Sequence, residues 1–328
     1  MRSGPAVGQA ATVRLLLADS ASLYWRAFHA LPDTITAPDG TPVNAVRGFF
    51  DTLGRIAQAR GSDRLVACWD DDWRPAWRVD LVPSYKAHRV EEARTVVEEP
   101  DAEEVPDLLS PQIPIIAEFC SALGIDVVGA PECEADDVIA TLAIRHSGSG
   151  DDIDIASGDR DLVQLVGARV HLLYTGGTAK SRGGQPWVEL DPAGVKERFE
   201  VAPDDYATMA ALRGDPSDGL PGIPGIGQRT AVALIDAFGS LDAILAAAET
   251  DPGKPLTPRI AAALTEGADQ VRRAYAVTQL SSRAHVPELA PPREPDRDRL
   301  EDLIDHYGLR ASVQRLLVAM GSGQGAEE

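Results

Sequence analysis

Short apolar runs alternate with longer amphipathic segments, and this alternation constrains the fold most strongly. Five runs rich in Leu, Val and Ile predict strands buried on both faces: 13–18, 65–69, 125–129, 153–157 and 170–174. Amphipathic stretches between the runs predict helices near 44–60, 112–123 and 135–146. Because strands that alternate with helices form βαβ units, we expect an α/β domain with a mostly parallel sheet covered by helices.

The second part of the chain is different in character. Beyond about residue 192 the strand pattern ends, and Ala- and Leu-rich segments predict helices near 203–212, 228–238, 241–248, 258–280 and 298–320. We therefore expect four parts: a disordered leader 1–12, an α/β core 13–190 that carries an insertion at about 73–110, a helical region 191–320 and a flexible tail 321–328.

Composition narrows the class of protein. The 328 residues are 44% hydrophobic, which suffices for the cores of about two domains. The three cysteines are odd in number and form no CxxC motif, so we expect a reduced cytoplasmic protein without structural zinc. The first twelve residues lack the apolar segment of a signal peptide, and we expect no association with a membrane.

The charge of the chain argues at first against nucleic acid. The 51 acidic and 31 basic residues leave a formal net charge of −20, which disfavours polyanionic partners. Residues 91–107 contain eight acidic residues and one basic residue, and they follow the cationic sequence SYKAHR at 84–89. Long loops in compact domains are functional lids or disordered segments, and an acidic run is typical of a solvated face.

Seven acidic side chains follow predicted strands or begin the helix after the third strand: Asp19, Asp70, Glu134, Asp136, Asp137, Asp159 and Asp161. Acidic residues in a first helical turn also favour the helix dipole, and a single Asp after a strand is common. Together, however, they should meet at the carboxyl edge of the sheet, where their repulsion requires cations. Hard oxygen ligands with little His or Cys nearby favour Mg²⁺ or Mn²⁺ over zinc.

A Gly-rich turn in the helical region carries the last pair of carboxylates. The sequence RGDPSDGLPGIPGIGQRTA spans 213–231 and contains these candidates: Asp215, Asp218, Gly222, Gly225, Gly227, Arg229 and Thr230. A Gly-rich turn before a helix presents backbone amides to a phosphate, although the same turn can be purely structural. The spacing differs from the dinucleotide-binding fingerprint.

These motifs together resemble the 5′ nuclease family, which includes the amino-terminal domain of bacterial DNA polymerase I and the flap endonucleases. The resemblance rests on ADS with WRAFHAL, the strand ending at Asp70, SYKAHR, ECEADDVIA, SGDRDLVQL and GDPSDGLPGIPGIGQRTA. It runs in order from about Val13 to at least Phe238. It implies a PIN-like core, a helical arch and a helix-3-turn-helix motif that binds DNA.

The resemblance implies two divalent-metal positions. The first set would be Asp19, Asp70, Glu134 and Asp136 with Asp137 close by, and the second Asp159, Asp161, Asp215 and Asp218. Paired Mg²⁺ or Mn²⁺ ions would then promote in-line hydrolysis that leaves a 5′-phosphate. Ser20 stands where the family usually has Gly, while Asp71 competes with Asp70 and Glu132 competes with Glu134.

The resemblance also implies contacts with DNA. Lys86 and Arg89 would contact the scissile phosphate and act in catalysis with Asp19, Asp70, Asp136 and Asp159. Tyr85 would stack on an unpaired base, a contact typically of about 1–3 kcal/mol. Arg26 matches a basic family position, and the Gly-rich turn would hold K⁺ and bind the duplex through Gly222, Gly225, Gly227, Arg229 and Thr230. Trp25 and Trp69 we expect in the core.

The hypothesis is therefore a free-standing, monomeric 5′ nuclease that cleaves 5′-flap, nicked or gapped DNA in replication and repair, with RNA–DNA primer junctions as further substrates. Two alternatives remain open: a structure-specific DNA-binding protein with a vestigial site, and a metal-dependent ribonuclease or phosphohydrolase. We expect DNA affinity to require divalent metal and a local patch around Lys86, Arg89 and Arg229. The acidic segment 91–107 should lie outside the path of the strand or order only on binding.

Overall fold

The computed structural model describes residues 12–90, 103, 105–178, 180–250, 253–282 and 284–322. All of the expected leader except residue 12 lies outside the described residues, as do 91–102 and 104 of the acidic segment. The expected tail is described only at residues 321 and 322.

One six-stranded sheet organises the molecule, with the order β3-β2-β1-β4-β5-β6. The strands are β1 Arg14–Asp19, β2 Arg64–Cys68, β3 Asp126–Val128, β4 Asp152–Ser157, β5 Val170–Tyr174 and β6 Val188–Leu190. The first five pair in parallel and β6 runs antiparallel to β5. The predicted α/β class with a mostly parallel sheet is confirmed. Strand β6 was not predicted, since a three-residue edge strand carries almost no periodicity.

Helices cover both faces because alternate side chains of each strand point to opposite sides. In β1, Leu15 and Leu17 belong to one apolar cluster, whereas Leu16 and Ala18 belong to the other. Against the Leu16 face pack α1 Ser20–Ala30, α2 Asn44–Arg60, α4 Gln112–Ala122, α12 Arg297–Tyr307 and α13 Arg310–Ser322. The apolar cluster on the Leu15 side contains residues of seven helices: α5 Ala135–Ser149, α6 Pro192–Phe199, α7 Tyr206–Arg213, α8 Gln228–Phe238, α9 Leu241–Thr250, α10 Pro258–Glu266 and α11 Ala268–Thr278.

The helices differ from expectation at several places. The segment expected as one helix at 258–280 breaks at Gly267 into α10 and α11, and the segment at 298–320 breaks at Gly308 into α12 and α13. Gly308 has φ +70°, a left-handed conformation that ends a helix and favours glycine. The short helices α3 Ala76–Leu81 and α6 were not predicted. The helical region is also divided, because α12 and α13 pack across the sheet from α6 to α11.

Two expectations about class can be compared with the structure. In the described parts of the chain, no single helix is long and apolar enough to span a membrane. Helices α8 and α9 reach that length and apolarity only as a pair, and they are bent by 86° at the break between them. Cys68, Cys120 and Cys133 are free thiols.

Candidate active site

A cleft of about 500 Å³ opens at the carboxyl edge of β1, β2 and β4. Five of the predicted carboxylates line it: Asp19, Asp70, Glu134, Asp136 and Asp159. Lys86 and Arg89 line the same cleft from the segment after α3. The sheet therefore brings together side chains that are more than 100 residues apart in the chain, as the parallel strand order predicts.

A serine joins the ends of β1 and β4. The Ser157 hydroxyl donates to Asp19 Oδ2 at 2.5 Å, and the Asp159 backbone N–H donates to Ser157 Oγ at 2.8 Å. Asp19 Oδ1 accepts a 3.1 Å bond from the Ser22 N–H and so caps the start of α1. Both oxygens of Asp19 are thereby oriented, one by the Ser157 hydroxyl at the end of β4 and the other by the first turn of α1.

The crowding of carboxylates weakens their acidity. Burial raises the pKa of Asp19 to about 7, and the charges of Asp70 and Asp159 contribute to the rise. Burial likewise raises the pKa of Asp136 well above its ordinary value, with Asp159 and Asp19 adding to it. For Asp70, burial raises the pKa although Lys86 opposes the shift. These raised pKa values mean that the negative charges of the three carboxylates are not fully compensated by neighbouring cationic groups.

Helix α5 begins with Glu134, Asp136 and Asp137, and the structure separates the three. Asp137 is 1% exposed and receives two hydrogen bonds of 2.8 Å from the Arg78 guanidinium, with a third of 2.9 Å from the Ser281 N–H. Asp137 also completes a capping box with Glu134. Asp137 therefore lies beside Glu134 but does not line the cleft, and its carboxylate is held by Arg78 and the Ser281 N–H.

Two residues at the base of the expected arch, Tyr85 and Lys86, form hydrogen bonds with Glu134. The Lys86 ammonium donates to Glu134 Oε2, and the Tyr85 hydroxyl donates to Glu134 Oε1 at 2.7 Å. Burial alone would lower the pKa of Lys86, but Glu134 and other neighbouring acidic groups raise it well above its usual value. Tyr85 is 4% exposed and packs with Val82 and Leu220. The expected stacking of Tyr85 on a base would require this small apolar cluster to open.

The turn at 215–220 forms a second acidic group beside Asp159. Asp215 is buried and pairs with Arg160 at 3.0 Å and Arg213 at 3.4 Å. Arg89 pairs with Asp218 at 3.0 Å. Burial raises the pKa of Asp161 well above its ordinary value, followed by the charges of Asp159, Asp218 and Asp215. The predicted second set is thus gathered, but two of its members are held by arginines.

The Gly-rich turn offers open backbone. A Cβ built on Gly225 or Gly227 would meet nothing within 4 Å, whereas one on Gly222 would approach the Arg213 carbonyl at 2.2 Å. Gly222 is therefore needed for packing, while Gly225 and Gly227 leave room for a close approach by another molecule. Arg229 is exposed and Thr230 is partly buried at the start of α8.

In each of the two ambiguous acidic pairs, the structure places one residue in the cleft and the other outside it. Asp70 lines the cleft and accepts a 2.8 Å bond from the Ala135 N–H, while Asp71 packs against Gly129. Glu134 is 3% exposed in the cleft, whereas Glu132 is exposed to solvent with φ +58°.

The sequence analysis also missed residues that line the cleft. These are chiefly Ser22, Trp25, Trp73, His88 and Glu103. Trp25 was expected in the core, and it does pack against the apolar cluster that contains Leu16 while also lining the cleft. It lies three residues after Ser22 on α1, a spacing that places both side chains on one face of the helix. At Glu103, which forms a β-bridge with Val90, the acidic segment does approach the cleft. Arg26 lies outside the cleft and donates to the Gly177 carbonyl at 2.9 Å.

The donor chemistry of the cleft fits divalent cations. The carboxylates of Asp136 and Asp161 form no hydrogen bond or ion pair with any other described residue, although both are crowded by like charges. Within the described ranges no three His, Cys, Asp or Glu side chains converge as a ready-made metal site. Lys or Arg side chains instead form ion pairs with Glu134, Asp215 and Asp218. Metal binding would require these ion pairs to open.

Comparison with known proteins identifies the family. A model described as 5′-3′ exonuclease, N-terminal resolvase-like domain, matches residues 14–200. A second, described as 5′-3′ exonuclease, C-terminal SAM fold, matches residues 201–297. The chain belongs to the 5′-3′ exonuclease family. It is 48% identical to a 5′-3′ exonuclease of Streptomyces coelicolor, with 93% of this chain and 99% of the relative covered. The resemblance inferred from the motifs is confirmed, and the protein is an enzyme of this nuclease family.

Two further relatives place the family more broadly. DNA polymerase I of Mycobacterium tuberculosis is 34% identical over 95% of this chain, which corresponds to 32% of that longer protein. The crystal structure of bacteriophage T5 flap endonuclease in a complex with DNA and metal ions has a TM-score of 0.63 and 17% identity. It covers 95% of this chain and 99% of the phage protein, so the two share a fold.

Proposed function

We propose that this exonuclease-family member is a divalent-metal-dependent 5′ nuclease acting on 5′-flap, nicked or gapped DNA. The observation that carries the proposal is the meeting of five carboxylates with Lys86 and Arg89 in one cleft. Carboxylates alone would repel a phosphodiester, and two cations alone would bind it without activating water. The combination is suited to phosphodiester hydrolysis once metal neutralises the acidic groups.

We assign two metal positions to the carboxylates that meet at the sheet edge. Asp19, Asp70, Glu134 and Asp136 would hold the first Mg²⁺ or Mn²⁺ ion, and Asp159, Asp161, Asp215 and Asp218 would hold the second. Bound there, the two cations would supply water activation and would stabilise the leaving 3′ oxygen. Asp137 is omitted because both of its carboxylate oxygens accept from the buried Arg78 guanidinium, whereas the arginines that pair with Asp215 and Asp218 are partly exposed.

The protein's own side chains bind and orient the substrate. Lys86 and Arg89, released from Glu134 and Asp218, would neutralise the non-bridging oxygens of the scissile phosphate. The open backbone at Gly225 and Gly227 would approach duplex phosphates, and Arg229 would add a charge contact. Coordination of K⁺ at this turn and cleavage at RNA–DNA junctions are further parts of the proposal. The products would carry a 5′-phosphate.

A cleavage assay tests the proposal directly. The protein is incubated with a 5′-labelled flap and Mn²⁺ or Mg²⁺, with RNA and p-nitrophenyl phosphate as competing substrate classes. We expect metal-dependent release of the flap; no cleavage, or cleavage that persists in excess EDTA, would refute the proposal. Asp136→Asn and Asp159→Asn should slow cleavage by orders of magnitude while weakening DNA binding much less. Asp298→Asn, an exposed site on α12, serves as the matched control.

A further inference from the structure

A second, smaller pocket lies on the other side of α1. Ser22 and Trp25 line the catalytic cleft, whereas Leu23 and Arg26 of the same helix line this pocket of about 160 Å³. Its polar lining comes from α1, from α2 and from the end of β5, and we call it the α1–α2 pocket: Arg26, Asp51, Thr52, Arg55 and Thr175. Because Thr175 follows β5 directly, the pocket opens on the same edge of the sheet as the catalytic cleft.

Thr175 provides a buried polar group that lacks a partner. The residue is 1% exposed, its N–H donates to the Ser157 carbonyl at 2.7 Å, and its carbonyl accepts from Arg182 at 2.9 Å. The hydroxyl has no hydrogen-bond partner among the described residues. Buried hydroxyls are almost always hydrogen-bonded, so an orphan beside a pocket indicates a place for a ligand oxygen.

Arginines surround this hydroxyl without acidic partners of their own. The Arg26 guanidinium makes one hydrogen bond, to the Gly177 carbonyl, and Arg182 donates to the carbonyls of residues 175–177. In the described parts of the chain, neither arginine forms an ion pair, and neither does Arg55. Burial and the neighbouring charge of Arg182 lower the pKa of Arg26. Uncompensated guanidinium groups in an acidic protein attract an anion with several oxygens.

The acidic lining residue, Asp51, does not neutralise these arginines. Its carboxylate pairs with Arg315 of α13 at 2.5 Å and with Arg47 at 3.8 Å. Asp51 therefore carries two cationic partners of its own, and the lining of the pocket remains positive at Arg26 and Arg55. The wall also contains apolar side chains, among them the half-buried Trp187, whereas Arg55 is exposed to solvent.

We propose that the α1–α2 pocket binds a phosphate group, with the Thr175 hydroxyl and the Arg26 and Arg55 guanidinium groups as donors. Ligand pockets for larger molecules span roughly 300–1,000 Å³; the smaller size here suits a phosphate without its base. The pocket and the catalytic cleft are separated by α1, and a helix is about 10 Å wide. DNA that is bound in the cleft can therefore place a neighbouring phosphate of its backbone in the pocket. The assignment to a DNA phosphate rests on the proposed nuclease function.

The salt dependence of DNA binding tests this assignment. Dissociation constants for a flap substrate are measured with Ca²⁺ over a series of KCl concentrations. Arg55→Ala should weaken binding roughly five- to tenfold and reduce the slope of log Kd against log[KCl] by about 0.9, the value for one lost phosphate contact. Thr175→Val, which is isosteric and removes only the hydroxyl, should weaken binding about threefold without changing the slope. Arg299→Ala, on α12, should retain wild-type affinity, slope and cleavage rate.

The outcomes separate the pocket from the nuclease function. If the slope of log Kd against log[KCl] is the same for Arg55→Ala as for Arg299→Ala, the assignment of the pocket to a DNA phosphate is overturned. If that slope is unchanged but millimolar inorganic phosphate raises the melting temperature of the wild type and not of Arg55→Ala, the pocket holds free phosphate instead. Absence of stabilisation by phosphate together with an unchanged slope overturns the site altogether. Failure of the nuclease proposal is distinguished separately, because the wild-type protein would then not cleave a flap.

Discussion

Raising the pH should destabilise the metal-free protein, because the carboxyls of the cleft must then ionise beside one another. The pKa of Asp19 is about 7 in the folded protein against an ordinary value of 3.8. The folded state therefore holds a proton that the unfolded state releases between these two values. The stabilising contribution is complete below pH 3.8 and is lost as the pH rises through 7.

The size of the effect follows from the shift. Seven minus 3.8 is 3.2 pKa units, and at about 1.4 kcal/mol per unit Asp19 alone accounts for about 4 kcal/mol. Asp19 is 5% exposed, so solvent screens little of this energy. Further carboxyls with raised pKa values contribute with the same sign, among them Asp70, Asp136, Asp161 and Asp218. About two of the 3.2 pKa units lie between pH 5 and pH 7, so over that range Asp19 alone should lower the free energy of unfolding by about 3 kcal/mol. At about 2 °C per kcal/mol for a chain of this size, the melting temperature should fall by about 6 °C or more.

Thermal unfolding in EDTA from pH 5 to pH 8 measures this fall. Addition of Mn²⁺ at pH 8 should restore much of the lost stability, since the cation replaces the missing protons. Asp136→Asn should raise the melting temperature of the metal-free protein at pH 8 and reduce its response to Mn²⁺, whereas Asp298→Asn should change neither. A metal-free melting temperature that is flat or rises between pH 5 and pH 8 would show that the carboxyls are not uncompensated, and the reasoning would fail.

Three substitutions test other parts of the site. Asp137→Asn should lower the free energy of unfolding in urea by about 3 kcal/mol, because the buried Arg78 guanidinium loses a carboxylate, while the Mn²⁺ response persists; a lost Mn²⁺ response with unchanged stability would return Asp137 to the ligand set. Lys86→Met should slow flap cleavage at saturating metal about 100-fold or more, yet lower the Mn²⁺ concentration needed for half-maximal thermal stabilisation, since it frees Glu134. An unchanged Mn²⁺ requirement would show that this ion pair does not compete with metal. Gly227→Ala should alter the free energy of unfolding by no more than about 1 kcal/mol, because its Cβ meets nothing within 4 Å, but should weaken binding to duplex DNA in a titration. Duplex affinity equal to wild type would exclude a close backbone approach at this turn.

Much of this molecule was predictable from local patterns. The apolar run at residues 13–18 determines a strand that is buried on both faces, and parallel pairing then requires Asp19, Asp70 and Asp159 to share one edge of the sheet. Each of these features depends on a few neighbouring residues and on the direction of the strands. The family motifs likewise occupy short segments, so the fold class and the family followed from the sequence alone.

Only the tertiary structure determines which partner each carboxylate contacts. Asp136 and Asp137 are neighbours in sequence, but a helix turns by about 100° per residue and so presents them to different surroundings. Arg78, which occupies Asp137, is 59 residues away in the chain, and the Ser281 N–H is 144 residues away. The burial of Tyr85 against Leu220 and the α1–α2 pocket depend on equally distant segments. Local periodicity determines which way a side chain leaves its own helix or strand; only the packing of distant segments determines what it meets there.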